Sequence, residues 1–117
     1  MIRKMTIDDL DQVMIIEKEA FDEHWKRKDF EYEICENEFS HMYVYEDDNR
    51  ILGVIGYYIL FDDAQVTTIA VLKEARGKSI ATKMMEAMVE DCNKKMCSQL
   101  SLEVRISNHK AINLGHT

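Results

Sequence analysis

The amino-acid sequence predicts an α/β fold, in the α+β sense of one mixed sheet packed against helices. First, residues 42–45, 51–61 and 65–72 are rich in aromatic and β-branched side chains and are separated by polar turns, as in consecutive hairpins. Second, residues 79–96 carry an apolar stripe with helical spacing. Third, residues 100–107 alternate apolar and polar side chains, as a strand does. Hairpins pair antiparallel strands, whereas a strand–helix–strand crossover makes a parallel, right-handed pair.

The N-terminal third of the chain predicts a short strand and two helices. Residues 2–5 fit the strand, and Thr6 is placed as a helix N-cap, with an aspartate three residues later as in a capping box. Apolar residues recur at mostly helical spacing over residues 7–21, where Glu17 is the only polar member of the stripe. The same period predicts a second helix over residues 28–37. A last helix is predicted directly after the alternating strand, which gives the order β-α-α-β-β-β-α-β-α.

The composition excludes several function classes. A length of 117 residues suits one domain over residues 1–117, and a net charge of −7 gives no basic footprint for nucleic acid. No apolar run approaches the roughly 20 residues of a membrane span, and no signal-peptide core is present. Cys35, Cys92 and Cys97 form no CxxC pair, and the histidines form no metal-binding pattern. We therefore expect a cytoplasmic protein with reduced thiols, without a metal site, and with neither nucleic acid nor membrane as a partner.

The junction between the strand that ends near residue 72 and the long helix is the segment best suited to bind a ligand. Residues 76–81 read Arg-Gly-Lys-Ser-Ile-Ala. A helix N-terminus leaves N–H groups unpaired, its dipole favours anions, and small residues let a phosphate approach. The alternative is that Ser79 is an ordinary N-cap. The segment is neither a Walker P-loop nor a dinucleotide fingerprint, because GxxxxGK[ST] and GxGxxG are both absent.

The same junction resembles a known motif. The acetyl-CoA motif of GNAT-superfamily N-acetyltransferases reads Q/R-x-x-G-x-G/A, after a strand and at the start of a helix. This chain has Ile69-Ala70-Val71 followed by Arg76-Gly77-Lys78-Ser79-Ile80-Ala81-Thr82. Leu102-Glu103-Val104-Arg105 and Ser107-Asn108-His109-Lys110-Ala111-Ile112-Asn113-Leu114 look most like the ribosomal-protein-alanine N-acetyltransferase branch. Ala20-Phe21 with Trp25 and Phe30 is also similar to that branch, although His24 stands where proline is usual. The resemblance covers essentially the whole chain and implies the GNAT acyl-CoA N-acyltransferase fold.

The resemblance implies a site for acetyl-CoA between two strands. Its pyrophosphate would take N–H bonds from residues 78–82, and its pantetheine arm would pair with the backbone of residues 69–71. A backbone N–H there could polarise the thioester carbonyl. The residues implied to bind acetyl-CoA are Ile69, Ala70, Val71, Arg76, Gly77, Lys78, Ser79, Ile80, Ala81, Thr82 and Asn108.

The resemblance also implies a general base and an acceptor. Glu103 matches the residue that removes a proton from the acceptor amine in this branch, acting through water, because an ammonium cannot attack until it loses a proton. The implied acceptor is the N-terminal amine of a protein or peptide. The strand pattern by itself leaves another interpretation, in which Glu103 is a solvent-facing charge beside Arg105. Tyr57 and Tyr58 are interpreted as packing residues, or one of them as lining the acceptor cleft.

Two departures from the family pattern raise further expectations. Ser79 stands where the family has glycine, so a Cβ is added where the backbone should approach the pyrophosphate. Gly115 stands where the family has a tyrosine that protonates the departing thiolate. The family domain also continues with two further strands, so we expect this domain to lack them and a second copy to cover the strand at 99–106 in a homodimer. The rival functions are an impaired domain that binds CoA or only self-associates, and a small-amine acetyltransferase.

Overall fold

A computed structural model describes residues 1–97 and the backbone of residues 99–102. Its sheet has five strands in sequence order. The first four are antiparallel neighbours, and the fifth is parallel to the fourth. The predicted meander and crossover are therefore confirmed. The strands are β1 (Ile2–Lys4), β2 (Ser40–Asp47), β3 (Arg50–Leu60), β4 (Asp63–Val71) and β5 (Gln99–Leu102).

The helices agree with the predicted segments but have different ends. The helix expected from residue 7 begins with a single 3-10 turn, Ile7–Asp9, before α-helical geometry starts. The long helix ends early because Met96 adopts a left-handed backbone (φ 58°). The helix predicted over residues 108–114 and the strand beyond residue 102 lie outside the described residues. The helices are α1 (Leu10–Ala20), α2 (Arg27–Cys35) and α3 (Ile80–Lys94).

Two apolar cores cover the two faces of the sheet. On one face α3 buries Met84 and Met88 against β3 and β4. These methionines belong to the predicted apolar stripe and fill the core. On the other face α1 and α2 pack through Leu10, Val13 and Phe30. Because both faces are covered, the side chains of β4 are buried alternately against α3 and against α1.

One irregularity interrupts β4. Gly56 of β3 is opposite Thr68, whereas the next residue of β3 is opposite Val66, so Thr67 is an extra residue in a β-bulge. The bulge follows the last β4 residue that pairs with the described part of β5, because Val66 is opposite Leu102.

Two of the cysteines lie near the C-terminal end of α3. Cys92 is buried on the core face of α3 and Cys97 follows the helix end, as the sequence indicated. Burial, with Cys97 adjacent, raises the pKa of the Cys92 thiol to about 11. Among residues 1–97 and 99–102, no helix has the length and apolarity needed to cross a bilayer.

An arginine joins β1, the first turn and β2. Both terminal nitrogens of Arg3 donate to the Asp9 carboxylate at 2.8 Å, and its Nε donates to Glu46 at 3.1 Å. The N–H of Thr6 also donates to Asp9 at 2.8 Å, which is half of the predicted capping box. The hydrogen bonds from Arg3, aided by the Thr6 N–H, lower the pKa of Asp9 although burial opposes them. Ionised Asp9 therefore stabilises this corner of the fold.

Replacing Arg3 should make the stability difference from wild type depend on pH. A depressed carboxyl pKa stabilises the fold above the unfolded pKa, and this contribution is lost as pH falls through the folded pKa. Arg3→Met should lower the free energy of unfolding by about 1–2 kcal/mol at pH 7, and by progressively less as the pH falls below about 4. Urea unfolding at pH 7, 5 and 3 measures this.

Arg27→Met is the matched control, because Arg27 pairs with Asp11 on the exposed surface. It should change stability by less than about 0.5 kcal/mol at any of these pH values. An Arg3→Met loss that is as large at pH 3 as at pH 7 would contradict the assignment to Asp9.

Candidate active site

The loop between β4 and α3 exposes the N-terminal end of a fifteen-residue helix. A 3-10 turn, Lys73–Ala75, follows β4, and residues 76–79 then lead into α3. The N–H of Lys83 donates to the carbonyl of Ser79 at 3.0 Å. The N–H groups of residues 80–82 come before this first helical bond, so the helix itself supplies no acceptor for them. They form a set of donors at the positive end of the helix dipole.

Two left-handed residues shape this loop. Gly77 has φ +89°, and this backbone conformation favours glycine; crowding does not, because a Cβ built there would meet no atom within 4 Å. Ser79 has φ 62° and ψ 22°, at a position where glycine is favoured. Its exposed side chain makes no capping hydrogen bond. The interpretation of Ser79 as an ordinary N-cap is therefore wrong, because an N-cap residue is extended and its oxygen accepts an N–H bond.

The segment that leads into α3 is rich in cations. Residues 73–83 hold Lys73, Arg76, Lys78 and Lys83, with Glu74 as the only acid. The Nε of Arg76 donates to the carbonyl of Val71 at 3.3 Å, which folds this side chain back over the end of β4. Lys83 lies 5.8 Å from the ring centre of Tyr45. Positive side chains and a helix N-terminus together favour an anion such as a phosphate.

Residues 69–71 offer a ligand their backbone alone. The side chains of Ile69, Ala70 and Val71 are at most 4% exposed and lie in the two cores. One backbone edge of these residues pairs with β3. On the other side, β4 pairs with residues 99–102 over residues 63–66, and the rest of the strand predicted at 99–106 lies outside the described residues. Because the side chains of residues 69–71 are buried, only their backbone could contact a ligand.

A fully buried carboxylate lies beside the bulge, and the sequence analysis assigned it no role. Glu17 of α1 is 0% exposed, and its Oε2 accepts a hydrogen bond from the Thr68 hydroxyl at 2.9 Å. Thr68 is likewise 0% exposed. In the sequence, Glu17 is the only polar residue in the apolar stripe of α1, which marks it as unusual. Nothing in the sequence indicates its contact with β4.

Two residues predicted to act in the site lie beyond the described part of the chain, whereas the two tyrosines lie within it. Glu103 and Asn108 lie outside the described residues. The hydroxyl of Tyr57 donates to Asp91 at 2.6 Å, and that of Tyr58 donates to Glu33 at 2.7 Å. Burial and the Glu33 carboxylate raise the pKa of Tyr58 to about 12. Both tyrosines fit the packing interpretation.

The chain matches a protein family over most of its length. The pattern of the acetyltransferase (GNAT) family matches residues 10–115. The chain is 41% identical over 110 residues to a putative ribosomal protein bS18-alanine N-acetyltransferase of Bacillus subtilis, covering 94% of this chain and 73% of that protein. It is 31% identical over 126 residues to an N-alpha-acetyltransferase of Saccharolobus solfataricus, covering 97% of this chain and 75% of that protein.

Solved structures share the fold. The ribosomal-protein-S18-alanine N-acetyltransferase of Escherichia coli has a TM-score of 0.85 at 23% identity, over 99% of this chain and 74% of that one. A PaiA N-acetyltransferase of Thermoplasma acidophilum, crystallised with coenzyme A, has a TM-score of 0.87 at 18% identity, over 99% of this chain and 86% of that one. These two likenesses bear on the fold alone.

Replacing Ser79 by glycine should relieve the left-handed backbone. A side chain in this region costs about 1–2 kcal/mol, and the added flexibility of the unfolded chain offsets about 0.4–1 kcal/mol of the gain. Ser79→Gly should therefore raise the free energy of unfolding by about 0.5–1 kcal/mol in urea. Ser79→Ala keeps the Cβ and should change it by less than about 0.5 kcal/mol. A less stable Ser79→Gly protein would show that the serine is not strained.

Proposed function

The chain belongs to the acetyltransferase (GNAT) family, and we propose that it transfers the acetyl group of acetyl-CoA to the N-terminal amine of a protein. The observation that carries this proposal is the exposed helix end after β4, with its unpaired N–H donors and surrounding cations. The similarity to a putative ribosomal protein bS18-alanine N-acetyltransferase supports a protein acceptor. A cytoplasmic location and the absence of nucleic-acid and membrane partners stay predictions.

The described residues fit the cosubstrate. The N–H groups of residues 78–82 would hold the pyrophosphate, and Arg76 and Lys78 would lower the cost of bringing its charge to the helix end. Gly77 leaves the loop open at this point, since nothing lies within 4 Å of a Cβ built there. The backbone of residues 69–71 would pair with the pantetheine arm, and Asn108 would bind near the thiol by its match to the family position.

Acetyl-CoA supplies an acyl thioester, and the chain must supply a proton acceptor. We assign this role to Glu103, which would take the proton of the acceptor ammonium through water. The free amine then bonds to the thioester carbon and the carbon–sulfur bond breaks. The nitrogen gives up its second proton, which passes through water to the departing thiolate, so that the products are the amide and CoA thiol. A backbone N–H of residues 69–71 would stabilise negative charge on the carbonyl oxygen.

Self-association is the second candidate function. The described part of β5 is the last strand in the order of the described sheet, so the strand expected at 99–106 could take a second copy along its edge. Light scattering at micromolar concentration tests this homodimer directly. The assays below distinguish the other two functions. An impaired domain would bind the cosubstrate without forming acetylated product, and a domain specific for a small amine would acetylate spermidine.

Calorimetric titration of acetyl-CoA into the purified chain tests the site. We expect a dissociation constant of about 100 μM or tighter, which is roughly −5.5 kcal/mol. Ser79→Gly should bind more tightly, because it removes the Cβ next to the pyrophosphate donors. No heat from folded protein at several temperatures would refute the proposed acetyl-CoA site.

Turnover is tested by mass spectrometry with three acceptors. These are a peptide with the N-terminal sequence of ribosomal protein bS18, the same peptide already acetylated at its N-terminus, and spermidine as a small amine. We expect acetylation of the first alone. Glu103→Gln should lower the rate by about 10²–10⁴ with unchanged acetyl-CoA binding. Glu90→Gln, an exposed charge on α3 paired with Lys94, is the matched control and should retain the full rate.

A further inference from the structure

Glu17 places a fully buried carboxylate on the core face of α1. A carboxylate taken out of water needs hydrogen bonds to offset its lost hydration, so its burial without them would lower the free energy of unfolding. The neighbouring buried positions of α1 are apolar: Val13, Ile16 and Ala20. An apolar residue at position 17 would therefore suit the packing of α1 on the sheet. The carboxylate instead bonds the hydroxyl of Thr68, a residue 51 positions away in the chain.

The bond reaches β4 at a functionally sensitive point. Thr68 comes directly after the bulge residue and directly before residues 69–71, whose backbone we assign to the pantetheine arm. The hydroxyl of Thr67 is buried without a hydrogen-bond partner among the described residues, so it does not hold the bulge in place. Both partners of the Glu17–Thr68 bond are 0% exposed, which protects the bond from competition with water.

We propose that Glu17 is a positioning residue for the transfer reaction: through Thr68 it holds the β4 bulge, and thereby the backbone N–H that polarises the thioester carbonyl. This inference rests on the proposed function. A bulge has an extra residue and can relax along the strand, so the direction of the following N–H groups depends on what fixes it. A displacement of about 1 Å at such a donor can cost a large factor in rate while leaving the cosubstrate bound. The pyrophosphate donors belong to the end of α3, so their affinity does not depend on this bond.

Variants at both ends of the bond test the proposal. Thr68→Val removes the hydroxyl with little change of shape, and Glu17→Leu removes the acceptor. Each should lower kcat by about 10-fold or more while the calorimetric Kd for acetyl-CoA changes less than about threefold. Thr68→Ser and Glu17→Gln keep a donor and an acceptor, and should retain kcat within about threefold. The double variant Thr68→Val/Glu17→Leu should lose about as much as Glu17→Leu alone, because Glu17→Leu has already removed the bond that Thr68→Val breaks.

Gln12→Leu is the matched control for loosening α1 from the sheet. The Gln12 side chain accepts the N–H of Ile51 at 2.9 Å, so this variant breaks another α1–sheet bond, at the start of β3. It should lower the midpoint of urea unfolding and leave kcat unchanged. If Gln12→Leu and Thr68→Val lower kcat equally at matched stability, Glu17 has a structural role only and the inference is wrong.

A readout independent of turnover is the amide chemical shift. In wild type, one backbone amide of residues 69–71 should differ between the acetyl-CoA-bound and CoA-bound forms, because only the first has a thioester carbonyl. Thr68→Val should reduce this difference and Thr68→Ser should retain it. An unchanged difference in Thr68→Val, or an active Thr68→Val enzyme, overturns the inference alone. Folded wild type that binds no acetyl-CoA overturns the proposed function as well.

Discussion

The burial of β4 on both faces is the constraint on which the candidate site depends. Its side chains fill two cores, one against α3 and one against α1, so none of residues 69–71 can offer a side chain to a ligand. What remains is backbone, one edge of which pairs with β3. A ligand recognised there must be extended and must carry amide-like groups, as a pantetheine arm does. The identity of the core side chains can therefore vary without changing the recognition chemistry.

The end of the same strand supplies the charge complement. β4 runs into a loop whose backbone turns through left-handed conformations before α3 begins. The first N–H groups of α3 have no intrahelical acceptor, as at any helix N-terminus. Four cations lie within residues 73–83 of a chain whose net charge is −7. Cations close in sequence to a helix N-terminus favour an anion there even though the chain as a whole is acidic.

Polar side chains that are buried or partly buried form hydrogen bonds between elements that are far apart in the chain. Arg3 joins β1, the first turn and β2 through Asp9 and Glu46, and Tyr57 joins β3 to α3 through Asp91. Glu17 joins α1 to β4 in the same way. Each contact requires a particular register between the elements, because a hydrogen bond tolerates little displacement. The bulge in β4 and the bond from Glu17 to its next residue are accordingly parts of one local arrangement.

The sequence by itself determined the order and type of the described elements and the location of the candidate anion-binding loop. Helical and strand periods are local properties, so the stripe of α3 and the strand-rich runs of β2 to β4 could be read directly. The family motif added Glu103 and Asn108, which lie outside the described residues. Only the tertiary structure decided that Ser79 is left-handed, that Thr67 forms a bulge, and that Glu17 is buried against Thr68. The bulge and the Glu17 contact arise between residues far apart in the chain, and no local period encodes such a contact. The backbone of Ser79 lies in a loop, where there is no period to follow.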